Sequence, residues 1–206
     1  MPLETEIKLR LPDPAKFRRS LLRLHATIVT PRTHELNLLF DTPDYSLAKR
    51  RQLLRIRIET PTRQRRATPT QRFLLTFKSP PTQSSTRQRT HKVREELELS
   101  LSDPAPLEKI FARLGLRNGF RYEKFRTTYC LPASHKWAKR LLIEIDETPI
   151  GTFAELEGPA PAIDRAAKLL GFSKSDYLLK NYLLLYRDHC RLHHLTPSHM
   201  LFSRRK

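Results

Sequence analysis

A chain of 206 residues, with 39 Lys and Arg against 21 Asp and Glu and a formal charge of +18, suits one domain and attracts polyanions. No run approaches the ~18 apolar residues of a membrane span, and the N-terminus opens on acids and bases. The expectation is a cytoplasmic protein with no membrane partner. Cys130 and Cys190 are too few for a disulfide framework. No helix-turn-helix, RNA-recognition or zinc-finger pattern supports nucleic acid as a specific partner.

The first predicted strand places Glu4, Glu6 and Lys8 on one face and most of Leu3, Ile7, Leu9 and Leu11 on the other. An apolar stripe over Pro14 to His25 predicts a helix, Leu36 to Asp41 a strand, and Tyr45 a short helix beyond it. Arg55, Arg57 and Glu59 then alternate with Leu54, Ile56 and Ile58. Arg72, Thr76 and Lys78 alternate with Phe73, Leu75 and Phe77, and Lys92, Arg94, Glu96 and Glu98 oppose Val93, Leu97 and Leu99. The polar segments 60–72 and 80–89 read as loops, either lids or solvated decoration. A helix over Pro104 to Leu114 precedes a strand with Tyr122, Lys124, Arg126 and Thr128 on one face. Two more strands follow, one with Glu144 and Asp146, the other with Phe153, Glu155 and Glu157. Helices are expected over Ala162 to Leu170 and Ser175 to Tyr186, the latter a candidate plug for the barrel that carries Lys180. Residues 187–206 read as a loose basic tail in which His189, His193, His194 and His199 fall together by accident.

About eight amphipathic strands can close an antiparallel barrel and abolish its edges. The helices need apolar surface to cover, so the aliphatic faces belong outside and the charged faces inside. The expected fold is therefore α+β, a closed eight-stranded antiparallel β-barrel with a charged interior and helices packed outside, spanning residues 1–186.

The ordered set of motifs resembles the CYTH family of triphosphate tunnel metalloenzymes. The signature E-x-E-x-K is matched by Glu4, Glu6 and Lys8. It is followed by Phe40-Asp41-Thr42-Pro43-Asp44, Leu53-Leu54-Arg55-Ile56-Arg57, Thr76-Phe77-Lys78, Arg94-Glu95-Glu96-Leu97-Glu98, Glu123-Lys124-Phe125-Arg126 and Gly151 to Glu157. The resemblance implies a tunnel that binds a small triphosphate with Mg2+ or Mn2+. The implied reaction is hydrolysis of tripolyphosphate or of a nucleoside or thiamine triphosphate, or else class IV adenylyl cyclase chemistry on ATP. A noncatalytic polyphosphate or nucleic-acid binding module is the third option.

Within that frame Lys8, Arg55, Arg57, Lys78, Arg94, Lys124 and Arg126 are the expected phosphate contacts. Glu4, Glu6, Glu155 and Glu157 are the expected metal ligands, because closure brings the first and last strands together. Glu96, Glu98 and Asp146 stand behind them, as ligands or as partners of the basic residues. Catalysis is expected from Glu4, Glu6, Lys8 and Glu157. The oligomeric state is left open, with a homodimer among the options.

Overall fold

The computed structural model describes residues 3–62, 71–82 and 90–203. The inserts expected over 60–72 and 80–89 fall largely outside these residues. The eight strands are β1 (Leu3–Arg10), β2 (Thr27–Asp41), β3 (Leu53–Pro61), β4 (Arg72–Ser79), β5 (Lys92–Leu101), β6 (Arg117–Cys130), β7 (Leu142–Thr148) and β8 (Gly151–Glu157). They form a closed antiparallel barrel in the order β1-β5-β4-β3-β2-β6-β7-β8, as the alternation predicted. Closure rests on β1, whose first half pairs with β5 (Glu6 opposite Lys92) and whose second half pairs with β8 (Lys8 opposite Glu155). β2 is longer than the predicted Leu36 to Asp41, and its register with β6 shifts near Thr30 and Thr33.

Alternation sends the aliphatic residues outward, where helices cover them. In α1 (Pro14–Arg23) a proline begins the helix and the Asp13 carboxylate accepts from the Lys16 amide; Phe17 and Leu21 are its buried face. In α4 (Ala160–Leu169) Ala162, Ala166 and Ala167 let the helix settle close onto Ile7, Leu9, Ala154 and Leu156, all four fully buried. Phe111 of α3 (Ala105–Arg113) covers Leu38, Phe40 and Ile56. The outer face of β5 is left open, with Leu97 and Leu99 exposed. Tyr45 is exposed too, in a left-handed conformation before the single turn α2 (Ser46–Lys49), so it does not pack. Cys130 ends β6 half-buried beside the Thr27 hydroxyl.

The C-terminal segment departs from expectation. Ser173 and Asp176 cap each other around one 3₁₀ turn, Lys174–Asp176, and the chain then runs extended. Leu178 and Lys8 exchange both backbone hydrogen bonds. The helix begins only at α5 (Tyr182–Leu192), where the Asn181 side chain accepts from the Leu184 amide. It continues past Tyr186 into the segment expected to fray, and Met200 then returns to bond Arg121 and Glu123 of β6 through its backbone. Tyr182, Leu185 and Met200 pack with Phe120, Tyr122, Ile150 and Phe153 as an apolar plug at one end of the barrel. Lys180 is not part of that plug; it precedes the helix, exposed, and pairs with Asp188.

Gly158 links β8 to α4 at φ +147°, where an added Cβ would stand 2.7 Å from the Arg140 carbonyl oxygen. Gly158→Ala therefore meets both an unfavourable conformation and a backbone clash. The expected loss is about 1–3 kcal/mol, read as a lowered melting temperature.

Candidate active site

The inward faces enclose a cavity of about 510 Å³. Its lining holds seven basic side chains, seven acidic ones, Tyr122, Tyr182 and Asn181, and only two apolar residues, Leu3 and Leu53. The formal charge of the wall is therefore close to zero, and the +18 of the chain lies elsewhere. A polyanion entering such a wall needs further positive charge with it.

Cross-strand register decides which charges meet. Lys8, deeply buried, reaches Glu6 at 3.1 Å and Glu155 at 3.2 Å, while Lys92 donates to Glu6 from β5. Lys78 donates to both oxygens of Glu4 at 2.6 Å and lies 3.3 Å from Glu96. Arg57 lies between Glu35 (3.7 Å) and Glu59 (3.4 Å). Arg55 donates to Thr76, and the Thr76 hydroxyl donates to Glu98. Arg126 is a hub, donating to Asp146 twice (2.7 and 2.6 Å) and to Glu155 (2.8 Å) and touching Glu144.

Of the residues expected at the site, Glu4, Glu6, Lys8, Arg55, Arg57, Lys78, Glu96, Glu98, Lys124, Arg126, Glu155 and Glu157 all line this cavity. Two do not. Arg94 turns aside and donates to the Arg51 backbone carbonyl. Asp146 is fully buried behind the wall, accepting from Lys124, Arg126 and the Tyr182 hydroxyl. The cavity also includes residues to which sequence reading gave no role: Lys92, Glu144, Tyr122 and Tyr182. Lys92 and Glu144 were legible, since each shares strand parity with a residue already singled out. Tyr182 was not, because its place depends on where the C-terminal segment folds back.

The ion pairs set the protonation states. Burial alone would raise the Glu6 carboxyl, but Lys8 and Lys92 outweigh it and hold it well below the usual range. Burial likewise disfavours charged Lys8, yet Glu155 and Glu6 hold its ammonium firmly protonated. Two carboxyls go the other way. Glu157 has no ion-pair partner among the described residues. Burial, then the nearby Glu144 and Glu4, push it up to about 8. Burial also lifts Glu144, with Glu155 and Asp146 adding to the effect against Arg126, to about 7.

These raised values predict a pH dependence of stability. Between its ordinary value and about 8, Glu157 holds a proton in the folded state that the unfolded chain has released. Its contribution is thus complete at low pH and is lost as pH rises through 8. The metal-free protein is expected to melt lower at pH 9 than at pH 6, and Glu157→Gln to flatten that slope; differential scanning fluorimetry without divalent ions checks both.

Among the described residues no three acids stand close enough to enclose a cation, because Glu4, Glu6 and Glu155 have turned toward basic partners. The donor set still fits a hard divalent ion. It consists of carboxylate oxygens on adjoining strands, Glu6 lies directly opposite Glu157, and the raised Glu157 records a repulsion that a cation relieves.

The CYTH domain family model matches residues 2–173. A protein of Methanocaldococcus jannaschii named "Putative adenylate cyclase" is 26% identical, the match covering 89% of this chain and 98% of that one. The barrel resembles an X-ray structure of a "putative adenylate cyclase" from Vibrio parahaemolyticus, with TM-score 0.67, 16% identity and coverage of 87% and 95% of the two chains. It also resembles the PH1819 protein of Pyrococcus horikoshii, with TM-score 0.67, 22% identity and coverage of 90% and 99%. A Hippeastrum protein, titled a putative adenylyl cyclase that reveals a dominant triphosphatase activity, matches with TM-score 0.57, 24% identity and coverage of 90% and 96%. With a charged-core barrel of eight strands, the Glu4-x-Glu6-x-Lys8 strand on its wall and a family match over most of its length, the chain belongs to the CYTH domain family.

Proposed function

We propose that the protein is a metal-dependent triphosphatase acting on a small triphosphate, either inorganic tripolyphosphate or a nucleoside or thiamine triphosphate. The observation that carries this reading is the lining itself: fourteen charged side chains and two leucines. Such a wall recognises phosphate oxygens and offers a nucleobase few apolar side chains, Leu3 and Leu53 with the rings of Tyr122 and Tyr182.

CYTH enzymes are metal-dependent, generally with Mg2+ or Mn2+. Glu4, Glu6, Glu155 and Glu157 would hold such an ion, which supplies positive charge to phosphate oxygens and acidifies the attacking water. The remaining work falls to the chain. Arg57 carries a planar fork suited to two oxygens of one phosphate, with Glu35 3.7 Å from its Nε, whereas Arg126 adds positive charge from within its cluster of Asp146, Glu144 and Glu155. Lys8, Lys78, Lys92 and Lys124 are compact charges that fit between phosphates. Lys78 and Lys92, each now held by a carboxylate, have flexible stems that can re-aim at a phosphate oxygen. The plug around Tyr182 keeps that end of the barrel apolar.

The second reading, an adenylyl cyclase, is favoured by the names carried by the archaeal and Vibrio relatives. Product analysis separates the two. With Mg2+ or Mn2+, tripolyphosphate and ATP are supplied separately, and orthophosphate, pyrophosphate, ADP and cyclic AMP are resolved. Orthophosphate with a diphosphate is expected; cyclic AMP with pyrophosphate replaces the hydrolase by the cyclase. Binding of either compound without turnover leaves a polyanion-binding module.

A further inference from the structure

The barrel closes without using the whole of β5. Lys92 to Glu95 pair with β1, but β1 begins at Leu3, opposite Glu95, so Glu96 to Leu101 have no strand on that side among the described residues. On its other side the same stretch is paired throughout with β4. Glu96 to Leu101 are therefore a free sheet edge, along which alternate residues present backbone N–H and C=O groups to solvent.

The outer face of this edge is apolar and uncovered. Leu97 is 49% and Leu99 62% exposed, beside the half-buried Phe73 and Phe77 of β4, while α3 covers the barrel farther round, at Leu38, Phe40 and Ile56. No proline or lysine interrupts the stretch. On its inner face Glu96 and Glu98 belong to the lining of the cavity, so the edge is also a rim of the candidate site. An edge of this kind is a template for a further strand, and its two glutamates select against a strand that brings acids opposite them.

The sequence of the edge says which strand fits. Read antiparallel to itself about Leu99, the stretch Glu96-Leu97-Glu98-Leu99-Ser100-Leu101-Ser102 is self-complementary. Leu99 falls opposite the partner's Leu99, Leu97 opposite the partner's Leu101, Glu98 opposite the partner's Ser100 and Glu96 opposite the partner's Ser102. On the outer face every leucine meets a leucine, and on the inner face every carboxylate meets a hydroxyl that can donate to it. The neighbouring registers that keep the faces together are worse. One sets Glu98 against the partner's Glu98, and the other sets Leu97 against the partner's Asp103.

From this we infer that the protein forms a two-fold dimer by antiparallel pairing of β5 with β5 of a second copy, centred on Leu99, so that the two barrels share one continuous sheet. A two-fold axis is the closed symmetry that a self-complementary edge requires. The pairing also completes the rim of the site, because the hydroxyls of the partner's Ser100 and the partner's Ser102 face Glu98 and Glu96 where β1 leaves the wall open. The inference does not depend on which reaction the tunnel carries out.

The test is the oligomeric state of the full chain. Sedimentation velocity across a dilution series is expected to show a reversible equilibrium between one and two chains. Leu99→Lys sets two ammonium groups against each other at the axis and is expected to weaken the dimer by about tenfold or more. Because Leu99 is exposed in the single chain, the variant's melting temperature in dilute solution should stay within about 2 °C of wild type. Leu99→Cys places two thiols directly opposite each other, at a spacing a disulfide spans, and should cross-link on oxidation much faster than Leu97→Cys, with wild type as the control for Cys130 and Cys190. A wild-type protein that stays monomeric overturns the inference. So does a dimer that keeps its strength in Leu99→Lys, which puts the interface elsewhere, and so does equal cross-linking at positions 97 and 99, which denies the register.

Discussion

Glu157→Gln is expected to lower metal-dependent triphosphate turnover by roughly 10²-fold or more, the scale of losing a group that acts on developing charge, without weakening the fold. The second half of that expectation makes the test informative. Glu6 and Glu155 are each tied to buried cations, so replacing either leaves an ammonium or guanidinium without its partner and confuses chemistry with stability. Glu157 has no such tie among the described residues. Its charged form is opposed by burial and by neighbouring carboxylates, so the neutral amide relieves a strain that the native residue accepts above pH 8. The variant should melt at or above wild type in alkaline buffer, bind tripolyphosphate in the absence of metal, and lose the affinity gained on adding Mg2+ or Mn2+. Turnover within about threefold of wild type would remove Glu157 from the metal-binding set.

Much of this site was legible because β-strand parity is a strict rule. Once Glu4, Glu6 and Lys8 share a face, their inward or outward direction depends only on which face the helices cover, and the alanines of α4 with Phe17 and Leu21 of α1 announced that cover. The register between strands was not legible. Asp146 and Glu157 look equivalent along the chain, each an acid near the end of an amphipathic run. Pairing sets Asp146 beside Arg126, whereas Glu157 falls between Glu6 and Leu142. One becomes an anchor and the other a carboxylate with a raised pKa. Glu35 escaped notice for a different reason. It lies just before the strand read over Leu36 to Asp41, and β2 extends back through it by means of register shifts that no local propensity reports. The start of α5 was misplaced because its apolar periodicity extends back past Asn181, where capping and the pairing of Leu178 with Lys8 take precedence.

Asp146→Asn should have the opposite character, a large loss of stability with metal binding kept. Asp146 was expected as a secondary metal ligand, yet it is fully buried and accepts from Lys124 at 2.9 Å, from Arg126 at 2.7 and 2.6 Å, and from the Tyr182 hydroxyl at 2.6 Å. Its donors are supplied by the protein, and the carboxylate is shut off from the cavity. An amide in its place removes the negative charge that Lys124 and Arg126 share and turns one acceptor into a donor facing donors. Breaking one member of a buried ionic cluster typically costs about 3–5 kcal/mol. For a domain of this size that corresponds to a melting temperature lower by about 6–20 °C. Turnover should fall as well, because Arg126 and Lys124 lose the anchor that aims them and Tyr182 loses the bond that ties the plug to the barrel wall. The two roles separate in a Mn2+ titration followed by electron paramagnetic resonance at a temperature where the variant is folded. An anchoring role keeps the number of bound ions at the wild-type value; a metal-ligand role removes one and leaves the melting temperature within about 2 °C of wild type.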